Sequence, residues 1–291
     1  MKVLVTGASG FVGSYLVDAL DTAGFEVTGI YRTKAPKILK KSRIGYIRAD
    51  LSQGTYFIRG PFDAVVHAAA STPLSGVTTD QMIRDNVYST QELFKAVPRW
   101  GTKSFILFSS ISMYGRVDRP VLDETCPIVT PTTYGATKYL SEQLLKEQSI
   151  SGLALRLPGI LGPTAHEGNW LPGVAAKLRK GEIIRAFNLD RPFNNVVHVD
   201  DIAKLIISNL QKGWKGYDAM VLGAAGVMFT KMVIERMAKA LKVKAKIEEI
   251  PAAQKSFVIS SKHAMEQWGY APLDIGKMVD QYGAELAYEE A

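Results

Sequence analysis

Tyr134 and Lys138 stand four residues apart in TTYGATKYLSEQLL, and the helical pattern over 133–148 puts both side chains on one face. A phenol has a reference pKa of about 10, too high for a proton carrier at neutral pH, and each unit of lowering needs about 1.4 kcal/mol. A nearby ammonium supplies such lowering by stabilising the phenolate. The pair could then give a proton to a carbonyl oxygen as hydride arrives, or remove one from an alcohol in reverse. In a chain with 12 tyrosines the spacing also arises as a surface tyrosine beside a solvated lysine.

Two hydroxyls, Ser109 and Ser110, close the apolar run KSFILFSS at the C-terminal end of a predicted parallel strand. Open α/β sheets hold ligands at that edge. A serine there can hydrogen-bond a substrate carbonyl and steady the developing oxyanion, or serve only as a turn residue. The four histidines read as structural, with His67 and His198 at predicted strand ends and none beside ligand-spaced partners. Cys126 is the single cysteine, so no internal disulfide forms and no metal cluster is expected. A reducing, cytoplasmic setting follows as an expectation.

The stretch VLVTGASGFVGSYLVDAL positions a different chemistry. Gly7, Gly10 and Gly13 follow a strand and open a helix, the context in which backbone N–H groups and a helix N-terminus cradle a pyrophosphate. The second strand ends GIYRTK, with Tyr31 and Arg32 where NAD-binding turns carry an acid. A guanidinium can chelate the 2′-phosphate of NADP and stack on adenine. NADP(H) is therefore the preferred cofactor, with NAD as the alternative and a plain surface arginine as the bland one.

These groups need a scaffold, and the N-terminal half supplies one by alternating short apolar runs with helical patterns, the order of βαβ units. Strands are predicted at 2–6, in EVTGIYR, IGYIRAD, DAVVHAAA and KSFILFSS, and in GLALRLPGILGP up to Pro158; helices are predicted over 11–23, 80–96 and 133–148. Past Gly162 the pattern loosens into loops between helical pieces. NVVHVDDIAKLIISNL then reads as strand and helix with Asp200 or Asp201 as N-cap, YDAMVLGAAG as a last strand, and the rest from about 227 as mostly helical.

A formal net charge of +7 and pI near 9.3 favour anionic ligands. The densest basic segment, from Arg32 to Arg43, has no aromatic residues interleaved, so nucleic acid is not expected as a partner. Mean hydropathy of +0.02 and the absence of a long apolar run exclude a membrane span, and Val3 to Val5 is too short for a signal-peptide core.

Taken in order, the motifs resemble those of the extended short-chain dehydrogenase/reductase family, the nucleotide-sugar epimerase, dehydratase and reductase group. TGASGFVG is similar to its TGxxGFxG turn, ADL at 49–51 to its adenine-contacting segment, and HAAA at 67–70 to its fourth-strand motif. NVYSTQEL, SSISMYG, YGATK, LRLPGILGP and VHVDDIA resemble later landmarks, and SSKHAMEQWGYAP faintly resembles the closing one. The resemblance implies an α/β, Rossmann-type doubly wound parallel sheet with a smaller, mostly helical C-terminal substrate lobe. It implies a dinucleotide-binding domain at 1–160, completed by 196–225, and a substrate-binding lobe from 161–195 and 226–291.

It also implies Tyr134 as acid/base, Lys138 as its pKa partner and ribose ligand, and Ser110, in preference to Ser109, as the carbonyl-orienting hydroxyl. Gly7, Ser9, Gly10, Phe11, Val12 and Gly13 would hold the pyrophosphate, with Tyr31 and Arg32 at the adenosine ribose. Asp50 and Leu51 would flank adenine, Ala68, Ala69 and Ala70 would line the same site, and Pro158, Gly159 and Ile160 would lie near the nicotinamide amide. A homodimer through the Tyr134 helix and the helix before it is implied as well.

Departures narrow the substrate. Asn194 stands where many members place a diphosphate-binding arginine, with Arg191 three residues earlier, and Lys255 alone offers a charge where a second arginine is common. Gly159 replaces a frequent Asn. Loss of a bidentate clamp favours a smaller carbonyl or alcohol. The expected activity is hydride transfer between NAD(P) and a carbonyl or secondary alcohol of a sugar, nucleotide sugar or similar small molecule. The rivals are an epimerase or dehydratase with retained NAD, and a non-catalytic dinucleotide sensor.

Overall fold

Lys2–Thr6, Ala64–His67 and Ser104–Ser110 are near-continuous apolar runs buried along almost their whole length, the pattern of strands covered on both faces. In the computed structural model, which describes residues 1–36, 44–73, 76–252 and 255–288, they form the centre of a seven-stranded sheet. The basic segment expected at 32–43 lies outside the described residues from 37 onward.

Packing divides the chain into two units, one of Met1–Gly115, Thr130–Arg156 and Ala203–Met220, the other of Arg116–Val129, Leu157–Ile202 and Val221–Ala291. The elements run β1 (Lys2–Thr6), α1 (Phe11–Thr22), β2 (Glu26–Tyr31), β3 (Ile44–Arg48), β4 (Ala64–His67), α2 (Thr79–Ile83), α3 (Ser89–Trp100) and β5 (Ser104–Ser110). They continue with β6 (Val121–Leu122), α4 (Thr133–Lys146), β7 (Ser151–Leu157), β8 (Gly159–Leu161), α5 (Trp170–Arg179), β9 (Ile183–Ala186), β10 (Pro192–Phe193) and β11 (Val196–His198). The last are α6 (Val199–Lys212), β12 (Tyr217–Val221), β13 (Met228–Phe229), α7 (Thr230–Ala240), β14 (Lys246–Glu249), β15 (Val258–Ile259), α8 (Lys262–Trp268) and α9 (Ile275–Tyr288).

The sheet order is β12-β7-β5-β4-β1-β2-β3, with β1 parallel to β2 and β4, β2 parallel to β3, and β4 parallel to β5. This is the expected Rossmann-type doubly wound sheet. After β3 the chain crosses back to the other side of β1, so β1 and β4 flank the switch point, where such sheets open a crevice for ligands. Thr6 is in register with both Ile30 and His67. Phe62, Trp100, Phe105 and Leu93 pack one face of the sheet, with Phe62 edge-on to Trp100 at 5.4 Å between centroids.

Between α2 and α3 the chain does not leave the helix. Arg84–Tyr88 forms a π-turn, so the predicted helix at 80–96 is one body from Thr79 to Trp100 with a wide turn inside it. Three consecutive residues, Asp85, Asn86 and Val87, are buried there, which a regular helix with one buried stripe cannot do.

In the second unit α5, α7 and α9 pack through Leu171, Leu178, Val233, Met237, Val279 and Tyr282. Short pairs border them: β8 with β11, β9 with β14 and β6 with β15 in parallel, and β10 with β13 antiparallel. The strand expected to end at Pro158 is β7, which closes at Leu157 in the main sheet, and a further short strand, β8, follows and pairs with β11. One sequence expectation changes. Neither Asp200 nor Asp201 caps α6, because both lie inside its first turn. His198 takes that role, its Nδ1 accepting from Asp200 N at 3.2 Å while Nε2 faces Glu285 Oε2 at 3.1 Å; Asp201 instead accepts from Leu273 N at 3.1 Å.

Candidate active site

The turn after β1 is built for close approach. Gly7 has φ of 72°, and a Cβ on Gly13 would stand 2.1 Å from the Gly7 carbonyl oxygen, so α1 can start this close to the strand only with glycine there. Gly10 N donates to Gly7 O at 2.9 Å. The first turn of α1 carries no carboxylate, and its N-cap Gly10 supplies no capping side chain. Its N–H groups and partial positive charge are thus left for an anion.

Buried threonines fix the turn from below. Thr90 Oγ1 donates to Asn86 O at 2.6 Å, so His67 Nε2 must donate to Thr90 Oγ1 at 3.0 Å. His67 Nδ1 then accepts from Thr6 Oγ1 at 2.7 Å, and Thr6 Oγ1 accepts from Ala69 N at 3.1 Å. Burial, with the Lys138 ammonium nearby, lowers His67 to about 3 and keeps the ring neutral.

A cavity of about 260 Å³ opens above this turn. Of the residues read from the sequence, Gly7, Ser9 and Gly10 line it with Tyr31 and Arg32, as do Asp50, Leu51, Ala68, Ala69 and Ala70. Phe11, Val12 and Gly13 do not, since they belong to α1 and its packing against the turn. Asp50 uses Oδ1 to cap the short turn at Leu51–Gln53, accepting from Ser52 N at 3.0 Å and Ser52 Oγ at 2.8 Å. The sequence reading missed Ser71, Asp85 and Ser89, which also line the cavity. Asp85 Oδ2 accepts from Arg32 Nη1 at 2.8 Å and from Ser71 Oγ at 2.5 Å.

Ser110 ends β5 with its hydroxyl acting on the Tyr134 phenol, and it donates from Oγ to Ser112 Oγ at 3.1 Å. Its Oγ also accepts from Ser112 N at 3.1 Å, whereas Ser109 Oγ turns to Met113 Sδ at 3.9 Å. Tyr134 lies in the first turn of α4, whose N-cap Thr132 accepts from Gly135 N at 3.1 Å. Lys138, one turn on, is buried, and its Nζ lies 5.8 Å from the Tyr134 ring centroid while donating to Phe108 O at 2.8 Å.

The phenol is not lowered as the spacing suggested. Burial pushes Tyr134 up to about 12, and the nearby Ser110 hydroxyl offsets only part of this. Burial likewise brings Lys138 down to about 8, with the Glu142 carboxylate opposing. Desolvation outweighs attraction because the ammonium bonds to a carbonyl instead of the phenol oxygen.

Two residues beneath the site went unread. Glu142, fully buried one turn after Lys138, takes Arg156 as a fork, with Nη2 to Oε2 at 2.8 Å and Nε to both oxygens at 3.2 Å. Arg156 Nη1 donates to Tyr114 OH at 2.7 Å, and burial of the guanidinium is more than offset by Glu142, which holds its pKa above the usual value. A carboxylate on the buried face of α4 was the available signal. Asn86 joins the cavity to α4: Nδ2 donates to Ser71 O and Thr137 Oγ1, both at 3.0 Å, and Oδ1 accepts from Ser71 N at 2.8 Å.

Pro158, Gly159 and Ile160 belong to the second unit, the last two in β8. Asn194 is engaged in full: Nδ2 donates to Ala224 O at 3.1 Å and Ile259 O at 2.9 Å, and Oδ1 accepts from Ile259 N at 2.7 Å. It stitches backbone and has no group left for a phosphate. Arg191 is exposed beside Asp190 at 3.6 Å, and Lys255 lines a cavity of about 240 Å³ with Trp170, Phe187, Phe193 and Phe257. Among the described residues, no cluster of three metal-ligating side chains occurs, and no helix is long and apolar enough to cross a membrane.

The chain is 28% identical over 257 residues to a dTDP-4-dehydro-6-deoxy-D-allose reductase of a Streptomyces species, covering 79% of this chain and 78% of the relative. It is 26% identical to the UDP-glucose 4-epimerase of Bacillus subtilis (strain 168), covering 77% of each. Among solved structures, a UDP-N-acetylglucosamine 4-epimerase from Methanobrevibacter ruminantium M1 superposes with a TM-score of 0.85 at 22% identity, covering 99% of this chain and 98% of that one. A dTDP-glucose 4,6-dehydratase from Streptomyces venezuelae with NAD bound gives 0.84 at 19% identity, covering 100% and 98%. The sequence model of the NAD dependent epimerase/dehydratase family matches residues 3–223, from β1 through β12. With the whole doubly wound sheet inside that match, the chain belongs to the NAD dependent epimerase/dehydratase family, among the extended short-chain dehydrogenases/reductases.

Proposed function

We propose that the chain is an NADP(H)-using oxidoreductase that moves a hydride between the nicotinamide and a small carbonyl or secondary alcohol, with Tyr134 as acid/base. The placement of Ser110 at the end of β5 and of Tyr134 and Lys138 one turn apart at the start of α4 carries this reading. The glycine turn, the carboxylate-free start of α1 and the cavity beside them fit a dinucleotide, which when bound would supply or accept the hydride.

Ser110 and Tyr134 would both hydrogen-bond the substrate oxygen. Held near 12, the phenol is protonated at neutral pH and serves as donor to the developing alkoxide. Lys138 would bond the nicotinamide-side ribose and, in its charged form, stabilise the phenolate left behind. Arg32 supports NADP(H). The engaged Asn194 argues against a diphosphate-bearing substrate, although the named relatives act on nucleotide sugars.

The first unit would hold the dinucleotide and the second would be the substrate lobe. The exposed Tyr88, Tyr139 and Leu140 on the helix preceding β5 and on α4 support a homodimer, and the single buried Cys126 a reducing, cytoplasmic setting. A second reading, an epimerase or dehydratase with retained NAD, is favoured by Asp85, which neutralises Arg32.

One experiment separates them. Purified protein is denatured to release any co-purifying nucleotide, then fresh protein is titrated with NADPH and NADH and assayed for reduction of small carbonyls. An empty site, tighter NADPH binding and turnover lost in Tyr134→Phe support the reductase; released NAD and no net turnover of NADPH support the epimerase.

A further inference from the structure

Arg32 is the one basic side chain among the described residues lining the cavity, and it faces two carboxylates there, Asp50 and Asp85. Asp50 is engaged in capping its own turn. Asp85 is different: its side chain is 7% exposed, it comes from the π-turn on the opposite side of the switch point, and its Oδ2 receives both Arg32 and Ser71. The Arg32–Asp85 pair thus stands inside the cavity, with the arginine 44% exposed and the carboxylate nearly buried.

We infer that Asp85 is a specificity-determining residue that weakens selection of NADP(H) over NAD(H) by competing for Arg32. The inference rests on the dinucleotide reading and goes beyond it. A 2′-phosphate needs the guanidinium. If Arg32 turns to it, Asp85 is left in a nearly buried position without its cation, held by the Ser71 hydroxyl alone, and an unpaired buried charge is strongly unfavourable. If Arg32 stays, the phosphate meets a guanidinium whose charge is already balanced and a carboxylate close by. A ribose 2′-hydroxyl meets neither obstacle, because it can donate to a carboxylate and carries no charge. Arg32 therefore sets the sign of the preference and Asp85 limits its size.

The test is a set of fluorescence titrations with NADPH and NADH on the full chain, comparing wild type, Asp85→Asn, Arg32→Ala and the double variant. The ratio of NADH to NADPH dissociation constants is expected to rise at least about tenfold in Asp85→Asn and to stay unchanged when the same substitution is made on Arg32→Ala. Asp85→Ser, which also removes the charge, is expected to shift the ratio the same way and covers the case in which the amide variant does not fold. An unchanged ratio overturns the inference, and so does a fall, which would make Asp85 the group that holds Arg32 ready for the phosphate. If wild type binds neither dinucleotide, the cofactor reading fails instead, and this inference with it.

Discussion

Lys138 donates from Nζ to the main-chain carbonyl of Phe108 at 2.8 Å, which fastens α4 to the strand that ends in Ser110. Tyr134 stands one turn earlier on the same helix, where the Ser110 hydroxyl acts on its phenol. The lysine bond thus ties the helix that bears the phenol to the strand that bears the hydroxyl, the kind of preorganisation that acid/base catalysis needs.

Removing the phenol hydroxyl tests that geometry. Tyr134→Phe is expected to lower kcat about a thousandfold while dinucleotide affinity changes little, as read by nicotinamide absorbance and by titration. Ser110→Ala should cost about a hundredfold through loss of one donor to the substrate oxygen. A Tyr134→Phe enzyme with unchanged turnover would mean that another group moves the proton.

Lys138 makes an unusual stability prediction. Its pKa falls from 10.5 to about 8 on folding, so between those values the unfolded chain binds a proton that the folded chain has released. Stability contributed by this site is therefore lowest below pH 8 and rises up to pH 10.5. Lys138→Met should be more stable than wild type at pH 7 in urea unfolding, and the difference should fade by pH 10.5.

His67 works at the acid end. Its pKa drops from 6.5 to about 3, so the neutral ring favours folding above pH 6.5 and that contribution is lost as the pH falls toward 3. His67→Asn should be less stable than wild type at pH 7, and the gap should narrow as unfolding is repeated at pH 6, 5 and 4.

The Glu142–Arg156 fork predicts an asymmetry. Glu142→Gln leaves a mostly buried guanidinium without its counter-ion and should destabilise by about 3 kcal/mol in urea unfolding at pH 7. Replacing both, as Glu142→Leu with Arg156→Met, should recover most of that loss.

Local patterns were legible in the sequence. The run before Gly7, the helix after Gly13 and the Tyr134–Lys138 spacing are each set by neighbours within a few positions, and they predicted β1, α1 and the pair on α4. What could not be read depends on partners brought together by crossovers. Arg32 and Asp85 meet because β2 and the helix after β4 face each other across the switch point, and no periodicity records that. Glu142 looks like another polar residue on an amphipathic helix until β7 delivers Arg156 to it. The acids at 200 and 201 carry the composition of an N-cap, yet the helix starts at Val199, two residues before an Asp200 cap would start it, because the His198 ring accepts from Asp200 N and puts both acids inside the first turn.

The π-turn at Arg84–Tyr88 fits one extra residue into a single turn of an otherwise continuous helix. Deleting one residue between 86 and 88 would return the segment to α-helical winding while the turns on either side keep their facing. Three consecutive residues could then no longer all be buried, and the segment would have to give up one of the Asp85 carboxylate, the Asn86 amide bonds and the Val87 packing. The counter-ion of Arg32 and the amide that joins the cavity to α4 thus stand side by side at the expense of one residue of slack in a helix.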